Sequence, residues 1–600
     1  MAEEKKKFNL KAFAGDFKAH WDKPKEGRYV PYKEYLSVFI GVGGDYALQR
    51  VLGKLSFGTG CFLVIFYYEI PVLTFSVIGA FFMVQGYFWS IINMMINDNL
   101  GFLPKKTERA FYTLYLIFTA LGLAFLLFDF SEILPFPRAL TEFVTSLPGL
   151  NMRSTLKIFG AHWLVCGYGG ARNIFIRKRW LPKLGRYKLF AYPNAIPCMI
   201  LSILICWLPI YNKPLPERVW QLYLLFTLYG MFTYTGGAQA ISSTISPDPH
   251  ERMLVRAYPE KLSHLIHSIV VASLFPVLAS ALTGDQTHIN TYRYLIPIMT
   301  MFCTVIMFLG LGNIQERIPQ PPIEKKKYIP FWEGINGVLH NKYRWIDAIS
   351  GLIDALGNGG LAVQSIILIY TWRELGLLFT IITNLIAFMG NPGAFLSPWI
   401  RKRFQYKTLV IFKRLIFAAQ GAGYILACWV FRDNYFMSGL VMLISLCIGD
   451  MLTSAVKLSE QDMGVRLSDY QMYLSGERLE NYAGVVGWFT GPFGALISLI
   501  IPIIFYRFGL TSDYDILFVD DIRSKCMIVG VAFDLVGHLL CCLPYLFFWD
   551  YTDEKHAKVV EALKERERIA QRADATEADI YANLSADAAK ATDQQPAMKA

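Results

Sequence analysis

The chain has 600 residues, 54% of them hydrophobic and only 18% charged, with a formal charge of +11. A soluble chain of this length carries about a quarter charged residues and divides into several domains, so a soluble multidomain protein is excluded. The basic residues sit in short loops between apolar runs, which excludes a nucleic-acid-binding face as the meaning of the charge.

The apolar runs are about 20 residues long, enough to cross a hydrocarbon core of roughly 30 Å as helix. In lipid each backbone N–H and C=O must be satisfied within its own segment, so helices are predicted. The period-two patterning of a membrane barrel is not seen. Residues 1–35 read as a polar cytoplasmic arm, too polar for too long to be a signal peptide. About fourteen spans follow, near 56–74, 76–97, 110–130, 155–174, 189–210, 219–241, 263–283, 293–314, 347–371, 377–400, 408–431, 436–457, 482–506 and 526–549. The first is placed at 56–74 because the preceding stretch, 36–55, contains Arg50 and Lys54.

Every second loop is basic. Lys105, Lys106 and Arg109 follow span two, and RKRWLPKLGRYK (177–188) follows span four. Arg252, Arg256 and Lys261 follow span six, RKRFQYK (401–407) follows span ten, and Arg466 and Arg478 follow span twelve. The loops between these are poor in Lys and Arg: GDQTHINTY (284–292) has none, and SDYDILFVDD (512–521) is acidic. The alternation predicts basic loops and both termini on the cytoplasmic side of an inner or plasma membrane. The Pro- and Lys-rich linker 315–346 divides a first bundle, 36–314, from a second, 347–549, and 550–600 is a polar cytoplasmic tail. The matching hairpins RKRW and RKRF suggest parallel repeats. The ten cysteines form no C-x-x-C pair, so neither a disulfide framework nor a zinc site is predicted.

Polar groups inside spans cost at least about 2.5 kcal/mol each when charged, and they persist where they face a wet cavity or a partner. Asp354 and Asn358 lie four apart on one helix face, with Gln364 further along. A carboxylate beside amides can hold sugar hydroxyls, although Asp354 could equally pair with a neighbouring helix. Trp163 could stack on a sugar ring or pack. Gln239 and Asp450 are further candidate substrate ligands, and Asp534 and His538, four apart, form a structural pair or a proton relay.

Three segments carry a resemblance. They are GMFTYTGGAQAISSTISPDPHERMLVRAYPEKL (230–262) with its D-x-x-E-R element, DYQMYLSGERLE (469–480), and GRYK (185–188) preceded by RKRW. They resemble the glycoside–pentoside–hexuronide:cation symporters, the melibiose permease branch of the major facilitator superfamily. FIGVGGDYA (39–47) and FFWDYTDEKH (547–556) are weaker echoes. The resemblance implies an all-α integral membrane protein with the major facilitator fold: two helical bundles, twelve core helices and here two extra. It implies a secondary transporter of a small polar solute, a sugar or glycoside, working by alternating access in the bilayer with no other cofactor than a coupling sodium ion or proton. It places Asp45 where a sugar-binding Asp stands, and Asp98 in INDNLG near a cation-site segment. It gives Arg186, Glu251 and Arg252 on one half, and Asp469, Glu477, Arg478 and Glu480 on the other, the reading of a cytoplasmic gate of ion pairs. The stretch matching core helix two, CGYGGARN (166–173), lacks the family's carboxylate, so the usual cation site looks degraded or relocated. Lipid transport on the same fold is the alternative. A membrane-embedded transferase is disfavoured, because no H-E-x-x-H, G-x-S-x-G or Walker motif is present.

Overall fold

The structure is a computed structural model that describes residues 10–55, 63–98, 104–184, 188–233, 268–284, 288–317, 330–356, 403–475 and 484–563, with single positions between 241 and 266, between 389 and 400, and at 565. Among the described residues there is helix and turn and no strand. The helices of the first half are α1 (Leu10–Ala19), α2 (Tyr32–Leu52), α3 (Val72–Asp98), α4 (Lys105–Leu127), α5 (Arg138–Ser146), α6 (Met152–Leu184), α7 (Ala191–Trp207), α8 (Leu215–Phe232), α9 (Phe275–Thr283) and α10 (Ile296–Leu311). The second half holds α11 (Phe331–Leu339), α12 (342–356), α13 (Tyr406–Val430), α14 (Tyr435–Ser475), α15 (Val485–Ile497), α16 (Ile500–Arg507), α17 (Asp520–Leu540), α18 (Cys542–Phe548) and α19 (553–563). Among the described residues, six stretches are long and apolar enough to cross a membrane: Lys105–Leu127, Thr291–Leu311, Tyr406–Val430, Tyr435–Val456, Val485–Arg507 and Asp520–Phe548. Much of their apolar surface points outward, as at Leu127, Trp429 and Leu309, which suits contact with lipid tails rather than water.

The first predicted span is corrected. Residues 56–74 do not form one helix. The chain instead forms α2 at 32–52, then a single π-helical turn, Leu63–Tyr67. It breaks at Glu69, whose φ is 52°, and re-enters helix after Pro71. Proline removes the N–H that a continuing helix needs, and the left-handed φ at Glu69 turns the chain. Arg50 and Lys54 did not exclude a buried helix because both lie at its end. The Lys54 ammonium rests 4.6 Å over the Phe275 ring. The remaining spans are helical where described, but α6 and α14 run past the hydrocarbon length. α14 has 41 residues, about 60 Å of helix.

Small residues set the closest crossings. A Cβ built at Gly310 would stand 2.0 Å from the Gly41 nitrogen, so α2 and α10 touch backbone to backbone. A Cβ at Gly122 would stand 2.4 Å from the Leu164 nitrogen, which locks α4 to α6 in the same way. In an apolar solvent, close van der Waals approach of this kind replaces the hydrophobic effect as the attraction between helices.

Contacts divide into two sets. α4, α6, α7 and α8 pack among themselves, with α10 against α2 and α7, while α13 packs on α14, α17 and α18. α3 is the exception, lying against α15 and α16 of the second half. Ion pairs join Glu34 to Arg317, Lys178 to Glu108, Lys342 to Asp550 and Arg466 to Asp553. Between other helix ends, Tyr68 OH donates to Ile205 O at 2.7 Å, Tyr514 OH to Ile70 O at 3.0 Å, and Trp207 Nε1 to Arg293 O at 3.1 Å.

Candidate functional site

A cluster of buried charge lies in the second half, where α12, α13 and α17 meet. Asp354 sits about 18 Å up α12 from its start, at 1.5 Å per residue. Its Oδ2 accepts from Arg414 Nη1 of α13 at 2.7 Å. Its Oδ1 lies 2.9 Å from His538 Nδ1 of α17, an electrostatic contact outside hydrogen-bond angles. The other ring nitrogen, Nε2, stands 3.2 Å from Asp534 Oδ1, one turn earlier on the same helix. Phe417 stacks on the imidazole with centroids 5.1 Å apart. Side-chain exposures are 22% for Asp354, 18% for Arg414, 13% for Asp534 and 8% for His538.

The network continues along α13. Gln420 Nε2 donates to Tyr424 OH at 2.9 Å, and Asp450 and Asp534 both lie near enough to act on that phenol electrostatically. Gly449 makes room for the Gln420 amide, which a Cβ there would meet at 2.7 Å. Asp450 is therefore brought into the same neighbourhood as Asp534.

Asp354, His538 and Cys541 each offer a ligand atom, all within 4.8 Å of one another. The set suits a divalent metal poorly. Arg414 already supplies positive charge to the same carboxylate, and the Cys541 thiol is turned to donate to His538 O at 3.2 Å. What the arrangement does chemically is hold two carboxylates against one imidazole and one guanidinium, in helices otherwise apolar.

Arg414 was not singled out from sequence. Its signal was visible as Lys413–Arg414 within the apolar run 408–431, where a charge demands a partner. The i, i+4 pairing of Asp534 with His538 was legible, and so was the alternative in which Asp354 pairs with a neighbouring helix.

The other candidates fall in different places. Asp45 is fully buried in α2 and accepts from Gln49 Nε2 at 2.9 Å. Trp163 of α6 meets Phe118, Phe125 and Phe159 edge-on, an aromatic packing cluster between α4 and α6. At the adjacent residue, His162 Nδ1 lies 3.1 Å from Tyr223 OH, and Phe82 stacks on both of these rings. Gln239, Asn358 and Gln364 lie outside the described residues. So do the side chain of Asp98 and the gate candidates Arg186, Arg252, Glu477, Arg478 and Glu480.

Two gate candidates are described. Glu251 is 1% exposed and accepts from Tyr29 N at 3.1 Å, Val30 N at 3.0 Å and Ser246 Oγ at 2.6 Å. It thereby fixes the end of the N-terminal arm. Beside it Glu34 accepts both Arg317 guanidinium nitrogens, at 2.8 and 2.5 Å, and clamps the start of α2 to the start of the linker. Asp469 stands 3.9 Å from His556 Nε2 in the tail. The Tyr29, Val30 and Ser246 contacts of Glu251 lie in the first half, and the His556 contact of Asp469 lies in the tail.

The tail is held to the second half. Asp550 meets Lys342 and Lys555, each at 2.6 Å, and accepts from Tyr343 OH at 2.9 Å. Burial pushes its carboxyl up, but the hydrogen bonds from Lys342, Lys555 and Tyr343 outweigh this and hold it well below the usual carboxylate range.

A family model described as MFS/sugar transport protein matches residues 174–546, beginning inside α6 just ahead of RKRW (177–180), which the structure makes part of that helix and not a loop. No curated protein sequence matches the chain. Among solved structures, the nucleoside transporter NupG is 11% identical with a TM-score of 0.41, over 83% of this chain and 99% of its own. A bacterial homologue of the human lysosomal transporter Spinster, inward-facing and unoccupied, is 13% identical with a TM-score of 0.39, over 79% of this chain and 97% of its own.

Proposed function

The chain belongs to the MFS/sugar transport protein family, and from that premise we propose that it is a secondary active transporter of a small polar solute, a sugar or glycoside, moved by alternating access and coupled to a cation. The observation that carries this reading beyond the family is the network of Asp354, Arg414, His538 and Asp534 set within hydrocarbon-length helices. A structural protein gains little from four ionisable groups there, because each is costly to bury, whereas a carrier needs groups whose charge and pairing can change.

In this reading the moving bodies are 36–314 and 347–549, joined by the linker 315–346. The basic loops lie on the cytoplasmic side, with both termini there. The solute lies between the halves, with Asp45, Gln239, Asn358, Gln364 and Asp450 as its polar partners. Trp163, packed among phenylalanines, serves the α4–α6 contact instead. Asp354 is committed to Arg414 and His538 and acts on the coupling ion rather than on sugar hydroxyls. Gating draws on Glu251 and Asp469, together with Arg186, Arg252, Glu477, Arg478 and Glu480, which exchange partners as the cytoplasmic face opens.

The test is uptake by the reconstituted full chain of a panel of labelled sugars, glycosides and nucleosides, under a sodium gradient, a proton gradient and no gradient. At least one sugar or glycoside should accumulate against its own gradient. Movement of a lysolipid, and of none of these solutes, would reject the reading in favour of lipid transport.

A further inference from the structure

We propose that the coupling ion is the proton and that its seat is the His538 ring between Asp354 and Asp534, in the second half of the molecule. This rests on the reading of the chain as a coupled transporter.

A neutral imidazole carries one N–H and one lone pair, so it can offer a proton to one carboxylate only; the imidazolium offers two. His538 has a carboxylate oxygen beside each ring nitrogen, at 2.9 Å from Nδ1 and 3.2 Å from Nε2. Two carboxylate oxygens this close to the ring favour its positively charged form by Coulomb attraction, which acts whatever the angle, so the arrangement suits the cation. Charge balance agrees. Among the groups in direct contact, Asp354 and Asp534 supply two negative charges and Arg414 one positive, and a proton on His538 brings the sum to zero, with Asp450 further off beside Tyr424. Without it the cluster holds one uncompensated charge among apolar helices, which is the costly condition.

The groups around the ring are few. Among the described residues, α12 contributes Asp354 and α13 contributes Arg414 with the stacked Phe417. The ring's own helix contributes Asp534, and the thiols of Cys541 and Cys542 donate to His538 O at 3.2 and 3.3 Å. Lys413 lies on the far side of Phe417, 5.7 Å over that ring. No group in this set competes with His538 for the position between two carboxylates.

The cluster is also divided between helices in a useful way. Asp534 travels with His538 on α17, whereas Asp354 belongs to α12. A displacement of α12 against α17 removes the partner of Nδ1, leaves Asp354 to Arg414, and frees the proton. No other reactant is needed: one N–H bond breaks, the imidazole keeps the electron pair, and water takes the proton on the side then open. The location also answers the missing carboxylate in 166–173, because the coupling charge stands in the other half.

Two measurements test the proposal. The first needs no substrate: acid–base difference infrared spectra of the purified full chain. A pH step should give an imidazole band together with a carboxylate change, both lost in His538→Gln, and the carboxylate part altered in Asp534→Asn. An unchanged spectrum in His538→Gln overturns the proposal. The second is transport by the reconstituted wild type. An inward proton gradient of one pH unit should sustain about tenfold accumulation for one proton per solute, sodium should have no effect, and the double variant Asp354→Asn/Arg414→Gln should only equilibrate the solute. Accumulation driven by sodium alone, or insensitive to the pH gradient, overturns the proton seat while leaving the transporter reading intact. Absence of flux for every solute overturns the solute assignment, and the infrared result then decides the proton seat alone.

Discussion

The Tyr87 ring occupies the space that a side chain at Gly491 would need: a Cβ built on Gly491 would stand 1.9 Å from Tyr87 Cζ and 2.0 Å from its hydroxyl. Next to it Trp488 Nε1 donates to Ser90 Oγ at 2.8 Å. Gly487 and Gly491 thus form a groove on α15 that receives α3, and among the described residues the two sets of helices touch here.

Gly491→Val should push α3 and α15 apart, at a cost of about 1–3 kcal/mol for an overpacked contact. The thermal midpoint in detergent should fall, and Tyr87→Ala added to Gly491→Val should recover most of the loss. A single variant as stable as the wild type would show that this contact is not tight in the purified protein.

Asp354→Asn leaves the Arg414 guanidinium buried without its counter-charge. Removing one partner of a buried pair costs about 3–5 kcal/mol, whereas removing both is far milder. Asp354→Asn should therefore unfold well below the wild type, and Asp354→Asn/Arg414→Gln should lie between them or better. Additive losses in the double variant, read by thermal unfolding, would contradict a direct pair.

The tail has a pH signature. The Asp550 carboxyl is held low in the folded state, so its contribution is present above the ordinary carboxylate value of about 4 and is lost as pH falls through the lowered one. Acid should release the tail from Lys342 and Tyr343 and change the fluorescence of Trp549, which packs 5.2 Å from the Tyr343 ring. Asp550→Asn should give the released signal already at neutral pH. A transition of the same size and midpoint in that variant would assign it to another group.

How much of this was legible in advance differs from element to element. The helix 105–127 could be read from its apolar run alone, and the alternation of basic and non-basic loops from Arg and Lys counts in short segments. The first crossing was misplaced because Arg50 and Lys54 made 36–55 look interfacial. What buries α2 is the glycine-mediated contact of Gly41 with Gly310, far apart in the chain. Asp534 and His538 could be paired by helical spacing. Arg414 could be paired with Asp354 only once α12 and α13 were seen side by side.

Taken alone, the amino-acid order determined that this is a membrane protein and which stretches are long enough to cross. Those properties depend on run length and local charge, and the bilayer reads them segment by segment. Only the tertiary structure decided which buried charges are partners, that α3 bridges to the second half, and that the N-terminal arm is held by Glu251. Such pairings depend on distances between residues hundreds of positions apart, which no local periodicity encodes.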